Sequence, residues 1–317
     1  MSAFQELLEQ VGDRLEQVHA LEGGGNSRVF QLRGSSGTDY VAKLYPPAEP
    51  DRADRLEVEF TTLRLLQPYM DCLARPLSRL PLQRLALYSR LPGVRPVRGQ
   101  CGPAAILALV DCLVGIQSLR DESQSSHLPA ASEACFSLTQ HRLILRRRLE
   151  GLWQELPAQG QLPQQVRKLL EQRFVPWLES LAGQDFLVRP EERVLSPSDF
   201  GFHNALVDET GRFYFVDFEY FGWDDPAKMI ADFHLHPQTA ALGADSTDFQ
   251  NQLLNRLPQP EGFQHRMQQV YTICAAKWVL IFLNVFRERW RQQQAPSEEL
   301  LEERLQAAKS MLKHLER

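Results

Sequence analysis

Two carboxylates and an amide, crowded together by a tight hairpin, constrain this chain more than any other feature. Residues 196–232 read SPSDFGFHNALVDETGRFYFVDFEYFGWDDPAKMIAD, with Asp199 five residues before Asn204. The apolar stretches 205–207 and 213–216 flank Asp208-Glu209-Thr210-Gly211, a tetrad with strong turn chemistry. With Val207 opposite Arg212, the open end of the hairpin brings Asn204 and Asp217 close together. An amide and a carboxylate offering oxygen side by side suit Mg²⁺. Asp217 ends an apolar strand beside Phe215 and Val216, where a carboxylate is costly unless it is paired or metal-bound. Asp199, on the loop just upstream, is placed to orient a hydroxyl or receive its proton. These groups together suit phosphoryl transfer from a nucleotide.

Asp199 and Asn204 followed by Asp217-Phe218-Glu219 resemble the core of the aminoglycoside phosphotransferase and choline kinase superfamily, the protein-kinase-like small-molecule kinases. His203 directly before Asn204 and Asp225-Pro226-Ala227 leading into a helix with Asp232 agree with it. The resemblance implies that Asp199 is the catalytic base or orienting carboxylate, and that Asn204 and Asp217 hold magnesium. One departure stands out: the family often reads His-Gly-Asp where this chain has Pro197-Ser198-Asp199.

A kinase needs a nucleotide cradle, and the first ninety residues supply a candidate. Gly23-Gly24-Gly25-Asn26-Ser27 forms a turn running into an alternating strand over 29–33; Gly34-Ser35-Ser36-Gly37 turns the chain, and 40–45 returns as its partner. Glycines let backbone amides approach phosphate oxygens closely. Lys43, expected opposite Phe30, lies within reach of the phosphates, and Val41-Ala42-Lys43 echoes the Val-Ala-x-Lys of a kinase strand. A helix beginning near Asp51 carries Leu56, Phe60, Leu63 and Leu66 on one face; Glu59 borders that stripe as the lysine's partner, with Glu57 the competing choice. Residues 85–93 resemble the strand and hinge of the family, with backbone near Ser89 and Leu91 facing the nucleotide base. Each signal alone has an ordinary structural explanation. Their order along the chain does not.

The remaining residues set limits. A chain of 317 residues with 43% hydrophobic and 24% charged residues is large enough for two lobes. A net charge of −5 without a basic tail argues against nucleic acid as a partner. Five scattered cysteines with no Cys-x-x-Cys pair read as reduced thiols of a cytoplasmic protein. Residues 1–17 are amphipathic and acidic, unlike a signal peptide. The most apolar late segment, 270–286, is broken by Lys277 and Asn284 and reads as a buried helix shorter than a bilayer requires, so no membrane is expected.

Past the hinge, helical periodicity dominates: 103–119, 138–156, 162–181, 247–257, 262–292 and 296–316, with 120–133 as an exposed loop. Arg146, Arg147 and Arg148 read as solvated beside the apolar stripe of Leu145, Leu149 and Trp153. The resemblance puts the acceptor pocket beyond residue 219, where Glu219, Asp224, Asp225, His234, His236 and several aromatics would suit a cationic or polyhydroxylated molecule. The alternative is that these acids brace the catalytic loop and the rings are packing.

The expected fold is α+β, two-lobed and protein-kinase-like, with a small N-terminal antiparallel sheet lobe (1–90, nucleotide-binding) and a larger, mostly helical lobe (91–317). The expected activity is Mg²⁺-dependent transfer of the γ-phosphate of ATP (or GTP) to a small-molecule hydroxyl on a sugar, amino sugar or amino alcohol. Asp199 is the catalytic residue; Gly24, Gly25, Asn26, Ser27, Lys43, Glu59, Ser89 and Leu91 bind nucleotide; Asn204 and Asp217 bind metal. The alternative is a nucleotide-binding pseudokinase, favoured by Pro197.

Overall fold

A computed structural model describes residues 2–21, 27–48, 52–120, 127–181, 185–257 and 259–315. Alternation sets the first sheet. Strands β1 (Leu15–Leu21), β2 (Arg28–Gly34), β3 (Asp39–Leu44), β4 (Pro76–Leu80) and β5 (Leu85–Ser89) are antiparallel in the order β1-β2-β3-β5-β4. Phe30, Leu32, Ala42, Leu85 and Leu87 point to one face and bury themselves with Leu7 and Leu8 of helix α1 (Ala3–Glu9). Val29, Gln31, Val41 and Lys43, one residue out of phase, point to the other face and line a cavity.

The β2–β3 turn is drawn tight by Asp13, whose carboxylate accepts from Ser35 Oγ at 3.0 Å, Ser36 N at 3.1 Å and Tyr40 Oη at 3.0 Å. A Cβ on Gly34 would lie 2.0 Å from Asp13 Oδ2, so only glycine allows this approach. Val29, not Phe30, is Lys43's partner in the register. The one-residue difference follows from the turn, where Gly34 N bonds Thr38 O.

Helix α2 (Arg55–Leu66) starts four residues later than expected, because Asp54 caps it by accepting from Leu56 N and Glu57 N. Glu59 is buried with Leu56, Phe60 and Leu63, whereas Glu57 turns outward to Arg79 at 2.7 Å. Helix α3 (Pro103–Ile116) follows the hinge and buries Ile106, Leu109, Val110 and Leu113.

Packing divides the chain into two compact units, each interleaved in sequence: Met1–Ser132, Val194–Trp223 and Pro237–Leu257 form one, and Glu133–Arg193, Asp224–His236 and Pro258–Arg317 the other. The first unit adds to the sheet and α2–α3 the short strands β6 (Val194–Ser196), β7 (Ala205–Val207), β8 (Phe213–Phe215) and β9 (Gly222–Asp224), the last reaching one residue beyond it. The β7–β8 hairpin pairs Val207 with Phe213, not Arg212, because Asp208 Oδ1 gathers Thr210 N and Arg212 N into the turn. The stretch expected as an exposed loop is partly fastened: Ala131 is buried and its amide bonds Trp223 O at 2.9 Å.

The second unit is helical. It contains α4 (Leu138–Glu155), α5 (Gln161–Leu169), α6 (Val175–Ser180), α7 (Pro226–Leu235), α10 (Phe263–Leu283), α11 (Glu288–Gln294) and α12 (Glu298–Leu312), while α8 (Pro237–Leu242) and α9 (Ser246–Leu254) belong to the first. The expected 262–292 helix breaks at a 3₁₀ turn, Asn284–Phe286, and restarts as α11. Phe263–Phe286 is 24 residues long and apolar enough to cross a membrane by length and composition, so the shorter expected span is corrected; 61% of its most apolar window is buried, the packing of a core helix. Arg148 is not free in solvent: its Nε donates to Glu133 Oε1 at 2.9 Å.

Buried charge organises this unit. Lys228, 1% exposed, reaches Asp224 at 2.9 Å and Asp232 at 3.0 Å, and Lys277 reaches Asp232 at 2.9 Å. Asp225 caps α7 through Ala227 N. Within this unit, then, Asp225 and Asp232 serve a helix start and a lysine pair.

Candidate active site

The loop carrying Asp199 is held from below. Gln117 brackets Leu195 of β6, its Nε2 donating to Leu195 O at 2.8 Å and its Oε1 accepting from Leu195 N at 3.0 Å. Ser198 then takes a left-handed conformation (φ 69°), with its hydroxyl on Ser132 O at 2.9 Å. Asp199 emerges half exposed; one carboxylate oxygen lies 2.9 Å from His203 Nε2, and its carbonyl accepts from Asn204 Nδ2 at 2.9 Å. With the amide nitrogen spent on that carbonyl, Asn204 offers its Oδ1 to other partners. Val216 N bonds Asn204 O at 3.0 Å, which carries the next residue, Asp217, up beside Asn204.

Asp217 is also left-handed, at φ 70°. A non-glycine residue held there stores strain, and such residues collect at functional sites. Phe218 explains what holds it: the ring is buried and stacked 6.1 Å from Phe221, while its amide donates to Glu59 Oε1 at 3.1 Å.

Lys43 sits among three carboxylates, 2.7 Å from Glu59, 2.5 Å from Asp217 and 2.9 Å from Glu219. Burial works against its charge, but the three acids hold its pKa well above the ordinary lysine value. Burial raises the Glu59 pKa, the more so for Asp217 nearby, against the pull of Lys43. Glu219 is also buried, yet Lys43, Ser27 Oγ (2.8 Å) and Arg55 (3.2 Å) keep its pKa below the usual range.

The acids outnumber the cations here. Glu59, Asp217 and Glu219 offer oxygens within 4.8 Å of one another, with Lys43 and Arg55 against them. Glu59 and Glu219 are committed to Lys43, so the oxygens open to a hard divalent cation such as Mg²⁺ are those of the partly exposed Asp217 and of Asn204 Oδ1, both on the cavity wall.

These groups share one cavity of about 540 Å³ within the first unit. Lys43, Glu59, Ser27, Asp199, Asn204, Asp217 and Glu219 line it, with Ser89 and Leu91 of the hinge. Gly24, Gly25 and Asn26 lie outside the described residues. Of the residues expected to form an acceptor pocket, Glu219 alone lines this cavity. Asp224 is fully buried on Lys228, Phe221 is core, and His234 and His236 pack edge-on against Tyr271 and Trp278. Sequence reasoning missed the 2.7 Å bond from the Tyr45 hydroxyl to Glu59 and the Ser27–Glu219 link, neither of which a local pattern reveals.

The five-stranded antiparallel sheet and the helical remainder make an α+β, protein-kinase-like fold. The family model described as "phosphotransferase enzyme family" matches residues 17–245, and the chain belongs to that family. Among solved structures it is similar to a spectinomycin phosphotransferase in complex with ADP and spectinomycin, at 13% identity and a TM-score of 0.67, covering 99% of this chain and 98% of that one. It is similar also to an amicoumacin kinase in complex with AMP-PNP and Ca²⁺ (14%, TM-score 0.65, 98% and 94% covered). A third is a choline kinase from Streptococcus pneumoniae (13%, TM-score 0.57, 98% and 97% covered). No curated protein matches the sequence significantly.

Proposed function

We propose that the protein transfers the γ-phosphate of ATP or GTP, with Mg²⁺, to a hydroxyl of a small molecule: a sugar, an amino sugar or an amino alcohol. The observation that carries this reading is the convergence of Lys43, Asp199, Asn204 and Asp217 on one cavity. Residues 1–90 hold the nucleotide. Gly24, Gly25, Asn26 and Ser27 would bind the phosphates, Lys43 would position them while Glu59, 2.7 Å away, holds Lys43, and backbone near Ser89 and Leu91 would meet the base. Asn204 and Asp217 would hold Mg²⁺, which would offset the negative charge of the nucleotide phosphates.

Residues 91–317 bring the acceptor. Asp199, steadied by His203, orients the acceptor hydroxyl; as its oxygen bonds phosphorus and the bond to the departing nucleoside diphosphate breaks, the hydroxyl proton passes to Asp199. The loose transition state of phosphoryl transfer asks for this positioning more than for a strong base. The similarity to a spectinomycin phosphotransferase, an amicoumacin kinase and a choline kinase supports a polyhydroxylated or cationic acceptor. Screening hydroxylated metabolites for acceptor-dependent ADP release tests the reading. A hit whose phosphorylated product is found by mass spectrometry supports it; nucleotide binding without turnover on any acceptor points instead to a pseudokinase.

A further inference from the structure

Three donors from two segments, the end of β3 and the stretch after β8, reach the buried carboxylate of Glu59. Lys43 Nζ and the Tyr45 hydroxyl both lie 2.7 Å from Oε2, and Phe218 N lies 3.1 Å from Oε1. Tyr45, 2% exposed, stands just past the end of β3. Its hydroxyl has one proton to give, and Glu59 receives it. The Tyr45 and Tyr88 hydroxyls are 2.7 Å apart, so in that contact Tyr88 is the donor and the Tyr45 oxygen the acceptor. Tyr88 is 4% exposed and lines the cavity beside Ser89 and Leu91. A hydrogen-bond chain therefore runs from the cavity wall through Tyr88 and Tyr45 to Glu59 and Lys43.

The chain has a physical purpose. Lys43 is already divided among three carboxylates, and a phosphate that draws on it loosens its hold on Glu59. A buried carboxylate that loses a donor bears the cost of its own desolvation. Tyr45 keeps a donor on Glu59 while Lys43 turns to a ligand.

We propose that Tyr45 is a positioning residue for the Glu59–Lys43 pair, with Tyr88 orienting its hydroxyl, so that the wall at the hinge end of the cavity is tied to the ammonium at its phosphate end. This rests on the nucleotide reading above. The test is calorimetric titration of the full chain with Mg·ATP and with adenosine, for the wild type, Tyr45→Phe, Tyr88→Phe and the double variant. Tyr45→Phe should weaken Mg·ATP about tenfold and leave adenosine unchanged. Tyr88→Phe should cost less, and the double variant should be no weaker than Tyr45→Phe alone, since Tyr88 acts through Tyr45. Unchanged Mg·ATP binding in Tyr45→Phe, equal losses for adenosine and Mg·ATP, or additive losses would overturn the proposal. If Tyr45→Phe does not fold, Tyr88→Phe decides: a loss confined to Mg·ATP supports the chain, and no loss overturns it. A wild type that binds no Mg·ATP removes the nucleotide reading itself, an outcome distinct from a binding wild type with an indifferent Tyr45→Phe.

Discussion

Lys43 is the residue whose loss should be felt most, because Glu59 and Glu219 are buried and lean on its charge. Replacing it with methionine keeps the stem and removes the ammonium, leaving buried acids short of a partner. Such a break costs about 3–5 kcal/mol, to be read as a lowered urea midpoint with an unchanged slope. Lys43→Arg should recover part of that stability. Asp217 differs: it is half-buried and strained, so its removal should cost chemistry more than stability. That Lys43, Asp199, Asn204 and Asp217 would meet at one cavity was legible in the sequence because their order along the chain is distinctive. The part of Tyr45 was not, since it acts through Glu59, a partner that local pattern does not reveal.

Among elements, the tie between the hinge and the β7–β8 hairpin is tested at Gly93. Val94 and Val207 exchange backbone hydrogen bonds of 3.0 and 2.8 Å. Gly93 itself has φ 93°, and a Cβ there would sit 2.4 Å from Val207 O. Gly93→Ala should destabilise by about 1–3 kcal/mol and weaken nucleotide binding, measured by denaturation and calorimetry; an Ala variant with wild-type stability would contradict the tie.

Helix α4 offers a pH test. Burial first, then the positive charges of Lys277 and Lys228, push the His141 pKa down to about 3, with Asp232 opposing them. The unfolded chain takes up that proton near 6.5. Folding is therefore disfavoured progressively as pH falls from 6.5 toward 3, and the group contributes nothing to the slope above 6.5. His141→Phe should flatten the stability–pH curve across that window, and a variant with the wild-type slope would refute the assignment. Elements with strong periodicity, β2, β3, α3 and α4, were readable from residues alone. β1 was not, because six of its seven residues are exposed and it shows no alternation. The three-residue strands β6 and β9 form through tertiary pairing, and the break of the long C-terminal helix at Asn284–Phe286 was hidden because apolar residues continue on both sides of Asn284.

For the molecule as a whole, nucleotide binding should report on folding. Mg·ATP at a hundred times its Kd adds about 2.7 kcal/mol to stability by mass action, visible as an upward shift in Tm of several degrees. Lys43→Met should lose that shift. The proposed chemistry is tested most directly by acceptor-dependent ADP release by Asp217→Ala beside the wild type, with circular dichroism on the same samples. The expected result is a folded variant without turnover. A folded variant that still phosphorylates its acceptor at the wild-type rate would contradict it.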